Sequence, residues 1–197
     1  MKSTAIRNCS SVFTLAALLL GAGLAIDSVL AADYGSDQTA LIKALPQSKL
    51  SLMDGLRQAT KPPEVPISAK FEFDDAGKLS LSVYTAEKGI SVDPEKNVLK
   101  ELSGSPAEDK WTPEVEVFKD VPHVARSSQQ LTLMSISRFN LVDIVAKTQK
   151  EHSGTVLAVS PMTRDRKPVF VVLIADKGKV TEYQYGISDG NLVRHGR

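Results

Sequence analysis

The stretch Lys167-Pro168-Val169-Phe170-Val171-Val172-Leu173-Ile174 decides the fold. Its run of branched and aromatic side chains suits a pleated, largely buried surface and reads as a strand. Working outward, the polar turn Thr163 to Lys167 precedes it and links it to an earlier strand, Thr155 to Ser160. Downstream, Asp176-Lys177-Gly178 turns the chain into Val180-Thr181-Glu182-Tyr183-Gln184-Tyr185. Ser188-Asp189-Gly190-Asn191 then turns it into Leu192-Val193. Turn residues between period-2 runs mark successive antiparallel strands. Upstream, Asn140-Leu141-Val142-Asp143 opens a helix: a capping side chain and a carboxylate three residues later meet the unpaired N–H groups and the positive helix end. Leu141, Ile144, Val145 and Thr148 form its apolar stripe, and it ends near Ser153-Gly154.

An earlier segment follows the same order. Ser51-Leu52-Met53-Asp54 opens a helix with Leu52, Leu56 and Ala59 on one stripe, and Lys61-Pro62-Pro63 stops it. Ile67, Ala69, Phe71 and Phe73 then alternate with polar residues, Asp74-Asp75-Ala76-Gly77 turns, and Leu79, Leu81 and Val83 alternate again. Glu87-Lys88-Gly89 leads to Ile90-Ser91-Val92, and Asp93-Pro94-Glu95-Lys96-Asn97 to Val98-Leu99. Leu52 and Leu141, Asp54 and Asp143, Ala86 and Ala175, Lys88 and Lys177, and Gly89 and Gly178 all lie 89 positions apart. Asn97 and Asn191 lie 94 apart, which lengthens the last hairpin of the second copy. Element order and spacing, more than shared letters, predict two copies of one unit.

Each copy resembles a PepSY module. The second, from about Arg138 to Arg194, carries the closer likeness: Leu141 to Ala146 resembles the opening helix, Lys167 to Val172 the central strand, and Ile187 to Val193 the closing turn. The first departs from the pattern at Pro62-Pro63 and in its shorter last hairpin. The resemblance implies an α+β fold of two repeated modules, each one helix packed on a small curled antiparallel sheet. The expected organisation is a signal peptide over 1–31, a lead-in over 32–50 with a short helix around Gln38 to Leu45, modules over 51–104 and 138–197, and a connecting segment over 105–137. The family also implies protein-binding roles outside the cytoplasm, including inhibition of secreted peptidases. It supplies no universal catalytic residue.

The N-terminus supports export. Lys2 and Arg7 precede an apolar run from about Val12 to Leu24, and Val29-Leu30-Ala31-Ala32 offers small residues for cleavage. Thr14, Gly21, Gly23 and Asp27 interrupt the run, which favours release over a membrane span. Cys9, the sole cysteine, falls within the leader, so the mature chain is expected to have neither disulfide nor thiol chemistry. Removing Lys2, Arg7 and Asp27 from 24 basic and 23 acidic residues leaves 22 of each. That balance argues against a nucleic-acid partner.

Little in the sequence suggests catalysis or a cofactor. His123, His152 and His195 lie apart, without a second histidine or a cysteine at ligand spacing, and no nucleophile elbow or phosphate-cradling glycine loop is present. Two features are candidates for partner contact. Arg164-Asp165-Arg166-Lys167 sets Arg164, Arg166 and Lys167 on a tight turn, either a contact for an acidic partner surface or, more simply, a solvated hairpin tip. Trp111-Thr112-Pro113-Glu114-Val115-Glu116-Val117-Phe118 alternates like a strand. Trp111 is either part of a partner-binding edge or, more simply, a core residue together with Phe118. The expected role is an exported, non-catalytic regulator or inhibitor that binds an envelope or secreted protein. The alternative is a periplasmic small-ligand carrier or sensor, which a buried polar residue such as Thr148 would favour.

Overall fold

The computed structural model describes residues 38–196. The expected leader therefore lies outside the described residues. Helix α1 (Gln38–Ala44) is followed by α2 (Leu52–Ala59), strands β1 (Val65–Phe73), β2 (Leu79–Ala86), β3 (Leu99–Gly104) and β4 (Glu114–Val117), then α3 (Val121–Ser135) and α4 (Leu141–Glu151). Strands β5 (Thr155–Arg164), β6 (Lys167–Asp176), β7 (Lys179–Gly186) and β8 (Leu192–Gly196) complete the chain. No helix among the described residues is long and apolar enough to cross a membrane.

The strands form one antiparallel sheet in the order β4-β3-β2-β1-β5-β6-β7-β8. This overturns the expectation of two repeated modules, each with its own small sheet. Strands β1 and β5 pair through Ala69↔Val159 and Lys70↔Ala158, joining all the strands into a single layer. The pairing satisfies backbone groups that two separate sheets would leave open along those edges. It is the narrowest ladder of the sheet, and a helix reinforces it.

That helix is α3, which falls inside the segment expected to be only a connection. Asp120 caps it by accepting from the His123 N–H at 3.1 Å, and Pro122 sits in the first turn, where its missing N–H costs nothing. The buried Gln130 clamps the seam: Ser68 Oγ on β1 donates to Gln130 Oε1 at 3.0 Å, and Gln130 Nε2 donates to Ser160 Oγ on β5 at 2.9 Å. Helices α2 and α4 cover the opposite face. Both capping boxes expected at Ser51/Asp54 and Asn140/Asp143 form. Gly55 lets α2 approach the sheet closely, because a Cβ there would lie 2.5 Å from the Leu81 side chain. Ile67, Ala69, Phe71, Leu81 and Val83 under α2, and Val159, Phe170 and Val172 nearer α4, form the dry core.

Turn chemistry accounts for the local differences. Asp165-Arg166 and Lys177-Gly178 have positive φ in pairs (48° and 63°, 49° and 77°), the signature of tight two-residue hairpins whose twist matches the strands. The strand expected at Ile90-Ser91-Val92 is absent. The loop there is held instead by Asn97, whose Nδ2 donates to the Gly89 carbonyl at 2.8 Å and whose Oδ1 accepts from the Lys88 N–H at 2.9 Å. Side-chain bonding of this kind competes with a strand ladder. Pairing resumes only at Leu99 and continues to Gly104.

Candidate functional site

An open sheet has two edges, and here they differ in chemistry. Strand β4 is anchored on both sides by buried aromatics, Trp111 at 5% exposure and Phe118 at 7%. Phe118 packs against Tyr84 (centroids 5.8 Å) and stacks on His123 (5.0 Å). The four residues of the strand itself are all exposed, with Val115 at 58% and Val117 at 46%. The Phe118 N–H donates to the Leu99 carbonyl at 3.0 Å. Since an antiparallel ladder alternates strictly, the amides of Val115 and Val117 point away from β3 and line the edge.

The two sides of β4 are distinct. Glu114 and Glu116 stand on the face of their register partners Ser103 and Glu101. Burial pushes the Glu101 carboxyl above its ordinary range; the Ser82 hydroxyl opposes this, Glu72 reinforces it, Lys70 opposes it and Glu116 adds to it. This sheet face is therefore crowded with carboxylates. On the other side lie Val115, Val117 and Lys100. Burial lowers the Lys100 pKa, but hydrogen bonds to Glu87 (3.0 Å) and Glu64 (3.2 Å) outweigh burial and leave it raised.

Strand β8 forms the other edge, with Leu192 42% and Val193 53% exposed. Arg194, its side chain 65% exposed, approaches Asp165 of the β5–β6 hairpin at 3.5 Å. The hairpin tip presents the exposed Arg166 and Lys167. Arg164 instead folds back over the sheet, 3.9 Å from Glu182 and with 11% of its side chain exposed; its Nε and Nη2 have no hydrogen-bond partner. Trp111 lies beside Gly104 on the far side of β2 and β1 from this hairpin, so the four residues expected at a partner surface do not converge. Trp111 faces inward, and the exposed surface passes to its neighbours 114–117.

Near the C-terminal end of α4, a recess of about 460 Å³ is lined by residues including His152, Asp176, Lys179 and Tyr183. The His152 ring stacks on Tyr183 at 3.9 Å, and His195 lies beyond that ring at 6.4 Å. His152 Nε2 is buried without a hydrogen-bond partner. Thr148 is fully buried, but its hydroxyl donates to the Ile144 carbonyl at 2.7 Å and is occupied within its own helix. The stack was not legible in the sequence, because residues 152, 183 and 195 share no local pattern. The acidic face of β4 was closer to legible, since Glu114-Val115-Glu116-Val117 already alternates.

No family model matches the chain, and no curated protein matches it. Among solved structures it is similar to a Clostridium difficile 630 protein provisionally described as a lipoprotein, with 12% identity and a TM-score of 0.39 over 76% of this chain and 93% of that one.

Proposed function

We propose that this chain is an exported, non-catalytic protein that binds and restrains an envelope or secreted enzyme, a peptidase being the type case. The PepSY-like pattern and the leader-like N-terminus support the compartment and the role. The observation that carries the reading is the β4 edge: outward-pointing amides, exposed valines on one side and carboxylates on the other. An extended segment of a partner can add to such an edge, with backbone hydrogen bonds supplying affinity and alternate side chains supplying specificity. The cations Arg166 and Lys167 give the hairpin tip a second, charge-steered contact for an acidic partner surface.

The test is capture from an envelope extract with light cross-linking, comparing the native chain with a Val115→Pro variant. Proline removes an outward N–H and leaves the β3 ladder intact. Recovery of one enzyme by the native chain and its loss with the variant supports the reading. A partner retained equally by both places binding elsewhere.

A second reading, a small-ligand carrier or sensor, is favoured by the recess and by His152, which lines it, stacks on Tyr183 and keeps a buried Nε2 without a hydrogen-bond partner. An acidic or hydroxylated ligand accepting or donating at that nitrogen would shift the His152 and Tyr183 ring resonances in NMR titrations. Silence of both rings across a small-molecule panel argues against it.

A further inference from the structure

The two edges of this sheet are complementary to each other. Register pairs trace one face across all eight strands: Glu116, Glu101, Tyr84, Ser68, then Ser160, Val171, Gln184 and Arg194. The Gln130 clamp, which bonds Ser68 and Ser160 together, fixes the crossing from β1 to β5. The carboxylates of β4 and the guanidinium of β8 therefore stand on the same face, at opposite ends of the sheet. On the reverse face, Val115 and Val117 of β4 correspond to Leu192 of β8, whose register partner is Tyr185. The directions match as well. Every neighbouring pair is antiparallel, so across the sheet β4 and β8 run in opposite senses. If β8 of a second copy is laid beside β4, faces kept, the new pair is antiparallel, acid meets base on one side and apolar meets apolar on the other.

We infer that the occupant of the β4 edge in the isolated protein is the β8 edge of a second copy, giving head-to-tail association through one continuous sheet. Such a contact is heterologous, so it does not stop at a dimer but extends into chains, or closes into a ring if the sheet twist permits. The strands are short, β4 with 4 residues and β8 with 5, so the contact is weak and reversible. It occupies the edge assigned above to a partner enzyme and competes with that binding. The inference goes beyond the regulator reading and does not depend on it.

Sedimentation velocity on the purified protein alone tests it, over micromolar to near-millimolar concentrations at low and high salt. The sedimentation coefficient is expected to rise with concentration and the rise to shrink in high salt, where charge pairing is screened. Glu116→Lys and Arg194→Glu, each made alone, are expected to weaken association about tenfold or more. Mixing the two variants restores it, because every cross-pairing is then complementary while every self-pairing is repulsive. Both sites are exposed, and an unchanged circular dichroism spectrum verifies the fold. A protein monomeric throughout overturns the inference, as does association indifferent to these charge reversals or not restored by mixing. The capture experiment reads a different molecule, so either result stands without the other.

Discussion

Replacing Gln130 by alanine tests whether α3 holds the sheet together. The side chain bridges Ser68 and Ser160 by hydrogen bonds of 3.0 and 2.9 Å across the seam where only two register pairs join β1 to β5. Each neutral bond contributes about 0.5–1.5 kcal/mol net, and a hydroxyl left buried without a partner costs about 1–3 kcal/mol. Ser68 and Ser160 are 5% and 2% exposed, so water cannot readily replace the lost partner. The expected loss is about 2–4 kcal/mol, a large fraction of an ordinary domain's stability. Urea unfolding followed by far-ultraviolet circular dichroism gives the total. Trp111, the single tryptophan, reports on the β4 side by fluorescence. In a Ser68→Ala/Ser160→Ala background the same substitution strands no hydroxyl, and its cost falls to about 1–2 kcal/mol. A loss below about 0.5 kcal/mol, or an equal loss in both backgrounds, would refute the clamp.

Two further outcomes follow from the same geometry. Ser51→Ala and Asn140→Ala each remove one half of a capping box and are each expected to cost about 0.5–2 kcal/mol by chemical denaturation; a loss below about 0.3 kcal/mol at either position would argue against the cap. Glu101→Gln is expected to stabilise the protein near neutrality. Its folded pKa is raised, so the stability it contributes is present below the ordinary value of 4.5 and is lost as pH rises through the folded pKa, where the carboxylate must ionise in a partly buried site and beside Glu72 and Glu116. The gain in urea midpoint should be present at about pH 7 and vanish at about pH 4, and a gain of equal size at both would implicate something other than ionisation.

Much of the local structure was legible in the sequence. The capping pairs Ser51/Asp54 and Asn140/Asp143, the turns at Asp74 to Gly77 and Asp176 to Gly178, and the alternation of Ile67 to Phe73 are each set by residues within a few positions of one another. Periodicity and turn chemistry report such short-range energetics directly. Helix α3 was missed although Asp120 and Pro122 mark its start, because its apolar stripe is interrupted by Ser127 and Gln130. The polar Gln130 makes sense only once Ser68 and Ser160 are seen to meet it. Strand pairing between β1 and β5 joins residues about ninety positions apart, and no local pattern encodes which open edge seeks which. The sequence by itself determined the kind and start of most elements, helix α3 and the segment Ile90-Ser91-Val92 being the exceptions. Only the tertiary structure decided that the strands fuse into one sheet, that Trp111 turns inward, and that acid and base finish on one face at opposite edges. The reason is that pairing and burial are settled by contacts between distant segments, whereas sequence pattern records only the preferences of neighbours.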